Sequence, residues 1–75
     1  MKSFIHTETI NHKVYVIWFK PETDTSIYVK IISLPITPFI LELQGGKWVS
    51  DHLPKELRSV NLDFTSIINE KTRQV

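Results

Sequence analysis

The sequence predicts an α+β fold: an antiparallel β-meander of about five strands with a short C-terminal helix packed on one face. Three observations carry that expectation. Ten Ile, six Val and seven Thr stand against no Ala at all. β-Branching stiffens χ1 in a way that suits strands, whereas Ala is the strongest helix former. Apolar residues alternate with period two as far as Ser50, and pairs of turn-forming residues punctuate that alternation. Beyond Ser50 the apolar spacing lengthens to that of a helix.

The first strand spans Lys2 to Ile10 and ends at Asn11-His12, a two-residue turn in which Asn tolerates left-handed backbone. Lys13 to Lys20 is apolar on both faces, which marks a strand inside its sheet. Pro21 to Thr25 is a polar turn, and Ser26 to Ser33 forms the third strand. Ile27, Val29 and Ile31 share one face of it, with Tyr28, Lys30 and Ile32 on the other. Leu34-Pro35-Ile36-Thr37-Pro38 ends the ladder, because proline lacks the donor a sheet requires. This Pro-x-x-Pro run is read as a connector and not as a ligand for an SH3 domain.

Phe39 to Gln44 is the fourth strand, with Phe39, Leu41 and Leu43 directed inward and Ile40, Glu42 and Gln44 outward. Gly45-Gly46 closes a two-residue hairpin and sets the register, so that Gln44 faces Lys47 and Leu43 faces Trp48. Trp48 therefore joins the inward face, and the register makes it core. Pro54 to Ser59 is a short helical segment with Leu57 inward. Asp63 is the N-cap of the last helix, with Leu62 and Ile67 at staple spacing. Phe64, Ile67 and Ile68 make its apolar stripe, Lys71 and Arg73 suit its C-terminal end, and the last few residues fray.

Composition bounds the function classes. A chain of 75 residues makes one domain, residues 1–75, with a thin core. Without cysteine there is no disulfide, thiolate nucleophile or Cys-type metal site, and the reading leans toward a reducing, cytoplasmic setting. The N-terminus lacks the apolar run of a signal peptide, and no stretch suits a membrane span. Nine basic and eight acidic residues give a formal charge of +1, a weak field for a purely electrostatic nucleic-acid binder.

Catalytic and cofactor signals are absent from the spacing. His6, His12 and His52 show no His-x-His or His-x-x-x-His pattern, and His6 and His12 fall at different heights of one ribbon. Glu8 and Glu42 are the carboxylates expected inside strands, too isolated for paired acid–base work. No nucleophile elbow occurs, and the two glycines are adjacent in a turn, which removes phosphate-cradling loops. The expectation is a protein that is no enzyme and holds no metal or cofactor.

The C-terminal half, a strand followed by Gly45-Gly46, Trp48, Leu53-Pro54 and a short Ile-rich helix, resembles short uncharacterised bacterial proteins built as a β-meander plus helix. A three-stranded sheet with a C-terminal helix is also similar in outline to a chromodomain. Neither resemblance transfers a function.

Geometry supplies the functional expectation. One helix of about 15 Å cannot cover both sides of a sheet some 24 Å wide. The face opposite the helix shows Tyr28, Ile32 and Ile40, together with half of the apolar residues of the second strand. That patch points to a non-catalytic interaction module that self-associates or docks a protein partner. A small barrel that buries both faces on itself is the bland alternative. A single-stranded nucleic-acid binder is the other, since Tyr15, Trp18, Tyr28 and Trp48 lie among lysines on strands. Tyr15 and Trp18 fall on opposite faces, which breaks that platform.

Overall fold

The structure, a computed structural model, describes residues 2–73. Five antiparallel strands lie in sequence order, β1 (Phe4–Ile10), β2 (Lys13–Thr23), β3 (Ser26–Ile31), β4 (Phe39–Gln44) and β5 (Lys47–Val49). Two helices follow, α1 (Lys55–Arg58) and α2 (Phe64–Arg73). This is the expected α+β meander. The expected fraying falls at Gln74 and Val75, outside the described residues.

Both expected two-residue hairpins form. Asn11 and His12 take φ of 51° and 65°, and Gly45 and Gly46 take 58° and 81°. Positive φ at both central positions gives the turn whose twist matches a strand pair. Ile10 then faces Lys13, and Leu43 faces Trp48.

The core fills the concave side of a curled sheet. Tyr15, Ile17 and Phe19 of β2, Ile27, Val29 and Ile31 of β3, and Phe39 and Leu41 of β4 are buried there with Trp48. Helix α2 lies in this hollow. Its Phe64 meets the edges of Phe19 and Phe39 at centroid distances of 6.2 and 5.7 Å, while Ile67 and Ile68 are buried with them. Thr65 reaches β5, where its hydroxyl oxygen accepts the Trp48 N–H at 3.0 Å, and Lys71 stands 5.8 Å from the Phe4 ring of β1. The helix thus bridges the two edge strands, and β1 and β5 do not pair with each other.

The cap of α2 is as the spacing predicts. Asp63 accepts the Ser66 backbone N–H at 3.1 Å and the Ser66 hydroxyl at 2.7 Å. These two bonds, the hydroxyl's first, hold its carboxyl below the usual carboxylate range. Helix α1 is shorter than its expected span, with Pro54 and Ser59 as its flanking caps, and it buries Leu57.

Several expectations need correction. The polar turn expected over Pro21 to Thr25 shrinks to Asp24-Thr25, because β2 runs on to Thr23 through an irregularity between Pro21 and Thr23. Proline is tolerated there because alternation from Val14 and Val16, which face β3, turns the Pro21 nitrogen to the other side, past the start of β1 at Phe4. Glu22 therefore joins Glu8 and Glu42 inside strands. β1 begins at Phe4, not Lys2, and β3 ends at Ile31, although Ile32 still donates its N–H to the Val16 carbonyl at 2.7 Å. Leu43, expected in the core, is 38% exposed. It shares a face with Trp48, but Phe64 covers the Phe39 end of β4 and leaves the hairpin end open.

Candidate functional site

Pleating alone assigns each strand residue to a face, and the cross-strand register then assembles the convex, helix-free face. Ile5 stands opposite Trp18, Trp18 opposite Lys30, Lys20 opposite Tyr28, and Tyr28 opposite Ile40. Trp18 and Tyr28 meet edge to face, centroids 5.9 Å apart at 77°. Val14 and Val16 lie up-strand of Trp18, and Ile32 sits beside Val16 through the bond already described. Val49 of β5 pairs with Glu42 on this same face.

Tyr28, Ile32 and Ile40, the residues singled out from sequence, are all on this face; Tyr28 is half-buried, while Ile32 and Ile40 are exposed. Tyr28 and Ile40 are direct neighbours across β3 and β4. Ile32 is separated from them by Lys30 and connects instead to the β2 side. Val14 belongs to the half of the second strand expected here; sequence reasoning missed Ile5 and Val49, both exposed, and the contact between Trp18 and Tyr28. Parity alone would have found Ile5 once the Asn11-His12 turn was accepted. The Trp18–Tyr28 contact needed the β2–β3 register, which the irregular Pro21 segment hides.

The charged groups on the face are few and mixed. Lys20 Nζ lies 3.8 Å from Glu22 Oε1, Lys30 stands opposite Trp18, and Glu42 and Lys47 lie toward the β4–β5 end. Trp48 and Tyr15 are buried on the other face. Trp48, as expected, belongs to the core.

Other concave regions offer little chemistry. A cleft of about 360 Å³ is lined by Pro21, Glu22, Thr23, Asp24, Ile27 and Trp48. Its Thr23 hydroxyl is occupied by Ser26 at 2.8 Å, and no imidazole approaches it to act as base. A smaller cleft of about 180 Å³ lies between Tyr15 and the Leu34–Ile36 connector. Ile36 is buried in the core, so the Pro-x-x-Pro run serves as a connector here. His6 Nε2 and Glu8 Oε1 approach to 3.0 Å on the concave side of β1, while His12 stands in the hairpin turn. Among the described residues no three His, Asp or Glu side chains gather as metal ligands. No helix among them is long and apolar enough to cross a membrane.

Comparison with protein-family models, with curated proteins and with solved structures found no match for the chain.

Proposed function

We propose that the protein is a small non-catalytic interaction module that docks a polypeptide on its helix-free sheet face, in the first instance a second copy of the chain. One observation carries this reading. Ile5, Val14, Ile32, Ile40 and Val49 are exposed on one convex surface around the half-buried Trp18–Tyr28 pair. Apolar surface gathered in this way on one side of a small domain marks an interface more often than scattered single residues do. An aromatic pair at the centre of the patch matches the usual anatomy of a docking surface.

Light scattering at high micromolar concentration tests it. Ile32→Lys and Ile40→Lys are each expected to lower the apparent mass while the chain stays folded by circular dichroism. Two folded variants with unchanged mass and melting temperature would sink the reading.

A second reading is favoured by a specific arrangement. Trp18 opposite Lys30 and Tyr28 opposite Lys20 form a checkerboard of aromatic and cationic side chains on neighbouring strands. Single-stranded nucleic acids use such surfaces, stacking bases on the rings and placing phosphates by the lysines. Titration with oligo-dT and oligo-rU should then quench Trp18 fluorescence in a salt-dependent way. A Trp18→Ala variant that binds as tightly as the parent removes this reading.

A further inference from the structure

The two edges of the sheet are finished differently. β5 has three residues, and its Trp48 N–H is taken by the Thr65 hydroxyl. β1 has seven residues and, among the described residues, pairs with β2 alone. It carries no Pro or Lys, the residues that commonly blunt an edge.

The outward backbone groups of β1 follow from β2. Val16 donates its N–H to the Ser33 hydroxyl oxygen at 3.0 Å, and its carbonyl accepts the Ile32 N–H. The Val14 carbonyl accepts the Ser33 hydroxyl at 3.0 Å. These groups all point toward the β3 side. Val16 stands opposite Thr7 and Val14 opposite Thr9. In an antiparallel ladder, partners of residues that point away are themselves turned away. The N–H and C=O groups of Thr7 and Thr9, and by alternation those of Ile5, therefore face the free edge.

We propose that this edge is a self-pairing site, where a second copy of the chain adds its own β1 antiparallel about a two-fold axis at Thr7. In that register Thr7 faces Thr7, and Ile5 faces Thr9, so every outward N–H and C=O finds a partner. The intervening residues form the pairs whose side chains come closest. Phe4 then meets Ile10, and His6 meets Glu8. Moving the axis one residue toward the C-terminus sets Glu8 against Glu8. Moving it one residue toward the N-terminus sets His6 against His6 and Phe4 against Glu8. The Thr7 register alone gives every β1 residue a compatible neighbour.

Charges on the inward side of an edge strand normally discourage pairing. Here the two inward polar side chains are an imidazole and a carboxylate already 3.0 Å apart, and the two-fold places each beside its opposite. The contact is isologous, so it closes at two copies. It leaves Ile32 and Ile40 untouched and makes the helix-free face continuous across the seam. A seven-residue ladder is small beside the roughly 1,200–2,000 Å² of a standard interface, so the pair forms reversibly with concentration.

Because the chain has no cysteine, one introduced thiol reports one contact. Opposed residues in a hydrogen-bonded pair have Cα atoms about 5.5 Å apart, within disulfide reach. Under mild oxidation Thr7→Cys is expected to give a covalent dimer, while Thr9→Cys, which faces Ile5, stays uncross-linked. In the Ile32→Lys, Ile40→Lys background, where the helix-free face no longer joins copies, His6→Glu alone and Glu8→Lys alone should each lose self-association, and their mixture should regain it as a heterodimer. No cross-link at Thr7→Cys, equal cross-linking at Thr9→Cys, or a mixture no more associated than its components overturns the proposal. Placing Ile32→Lys and Ile40→Lys in the Thr7→Cys background separates edge from face. Cross-linking should persist there, and its loss would show that contact through the face brings the copies together.

Discussion

Ile31 and Ile32 are neighbours in the chain, as are Ile40 and Leu41, yet their surroundings are opposite. Ile31 and Leu41 are 1% exposed, while Ile32 is 51% and Ile40 41% exposed. Chemically similar residues, one step apart, serve the core and the surface because a strand turns successive side chains to opposite sides. The concave face is a packed interior in which rings from β2, β4 and α2 meet edge to face. The convex face carries aliphatic residues of the same kind with no helix among the described residues over them. The difference teaches that apolar content alone did not decide burial in this chain. Burial was decided by the side on which the single long helix lies.

Charge insertion tests that contrast most strongly. Leu41→Lys should unfold the chain, since an unpaired buried charge costs more than about 4 kcal/mol. For a domain this small, that approaches the whole stability. Ile40→Lys, one residue away, should stay folded, with a loss under about 1 kcal/mol by urea denaturation. Similar losses at the two positions would mean that the faces are not distinct.

The tryptophans sharpen the comparison. Trp48→Ala should cost roughly 3–5 kcal/mol, as for a large aromatic deleted from a core. Trp18→Ala, which forfeits mainly its edge-to-face contact with Tyr28, should cost nearer 1 kcal/mol. Equal melting temperatures for the two variants would contradict the assignment of faces.

The seating of α2 is next. Asp63→Ala removes the acceptor of both Ser66 bonds and should lower the melting temperature by less than Trp48→Ala does. The folded carboxyl titrates below its unfolded value. Its contribution is therefore complete above the ordinary aspartate range and is lost as pH falls through the lowered one. Parent and variant should converge in strong acid; a constant difference across pH would exclude the charged cap.

The smallest effect concerns the turns that hold the register, and with it the division into faces. His12 sits at φ 65° without being glycine. His12→Gly should stabilise the chain by about 0.5–1 kcal/mol, because glycine adopts this region without steric cost. Gly46→Ala, at φ 81° with open space around its Cα, should destabilise by a similar amount for the converse reason. A loss of stability in His12→Gly would show that the imidazole does something more there than occupy the turn.

Much of the fold was determined by the sequence itself, wherever the cause is local. Alternation set the faces of β3 and β4, Asn11-His12 and Gly45-Gly46 set two registers, and Asp63 with Ser66 began α2. Each of these depends on residues within a few positions, so the chain carries the information in plain order. Tyr28, Ile32 and Ile40 could be placed on the helix-free face for the same reason.

Only the tertiary structure decided what depends on distant partners. Pro21 sits inside β2 because its nitrogen turns to the β1 side, past the start of β1 at Phe4, and the irregularity after it helps set the β2–β3 register which joins Trp18 to Tyr28. Leu43 was left exposed because the helix lies over the other end of its strand. Thr65 closes one edge of the sheet while β1 stays open, and the bonds of Val14 and Val16 to Ile32 and Ser33 determine which β1 groups face outward. Faces follow from the pleat and are written locally. Registers across irregular turns, the reach of a helix and the finishing of an edge arise from packing between segments far apart in the chain.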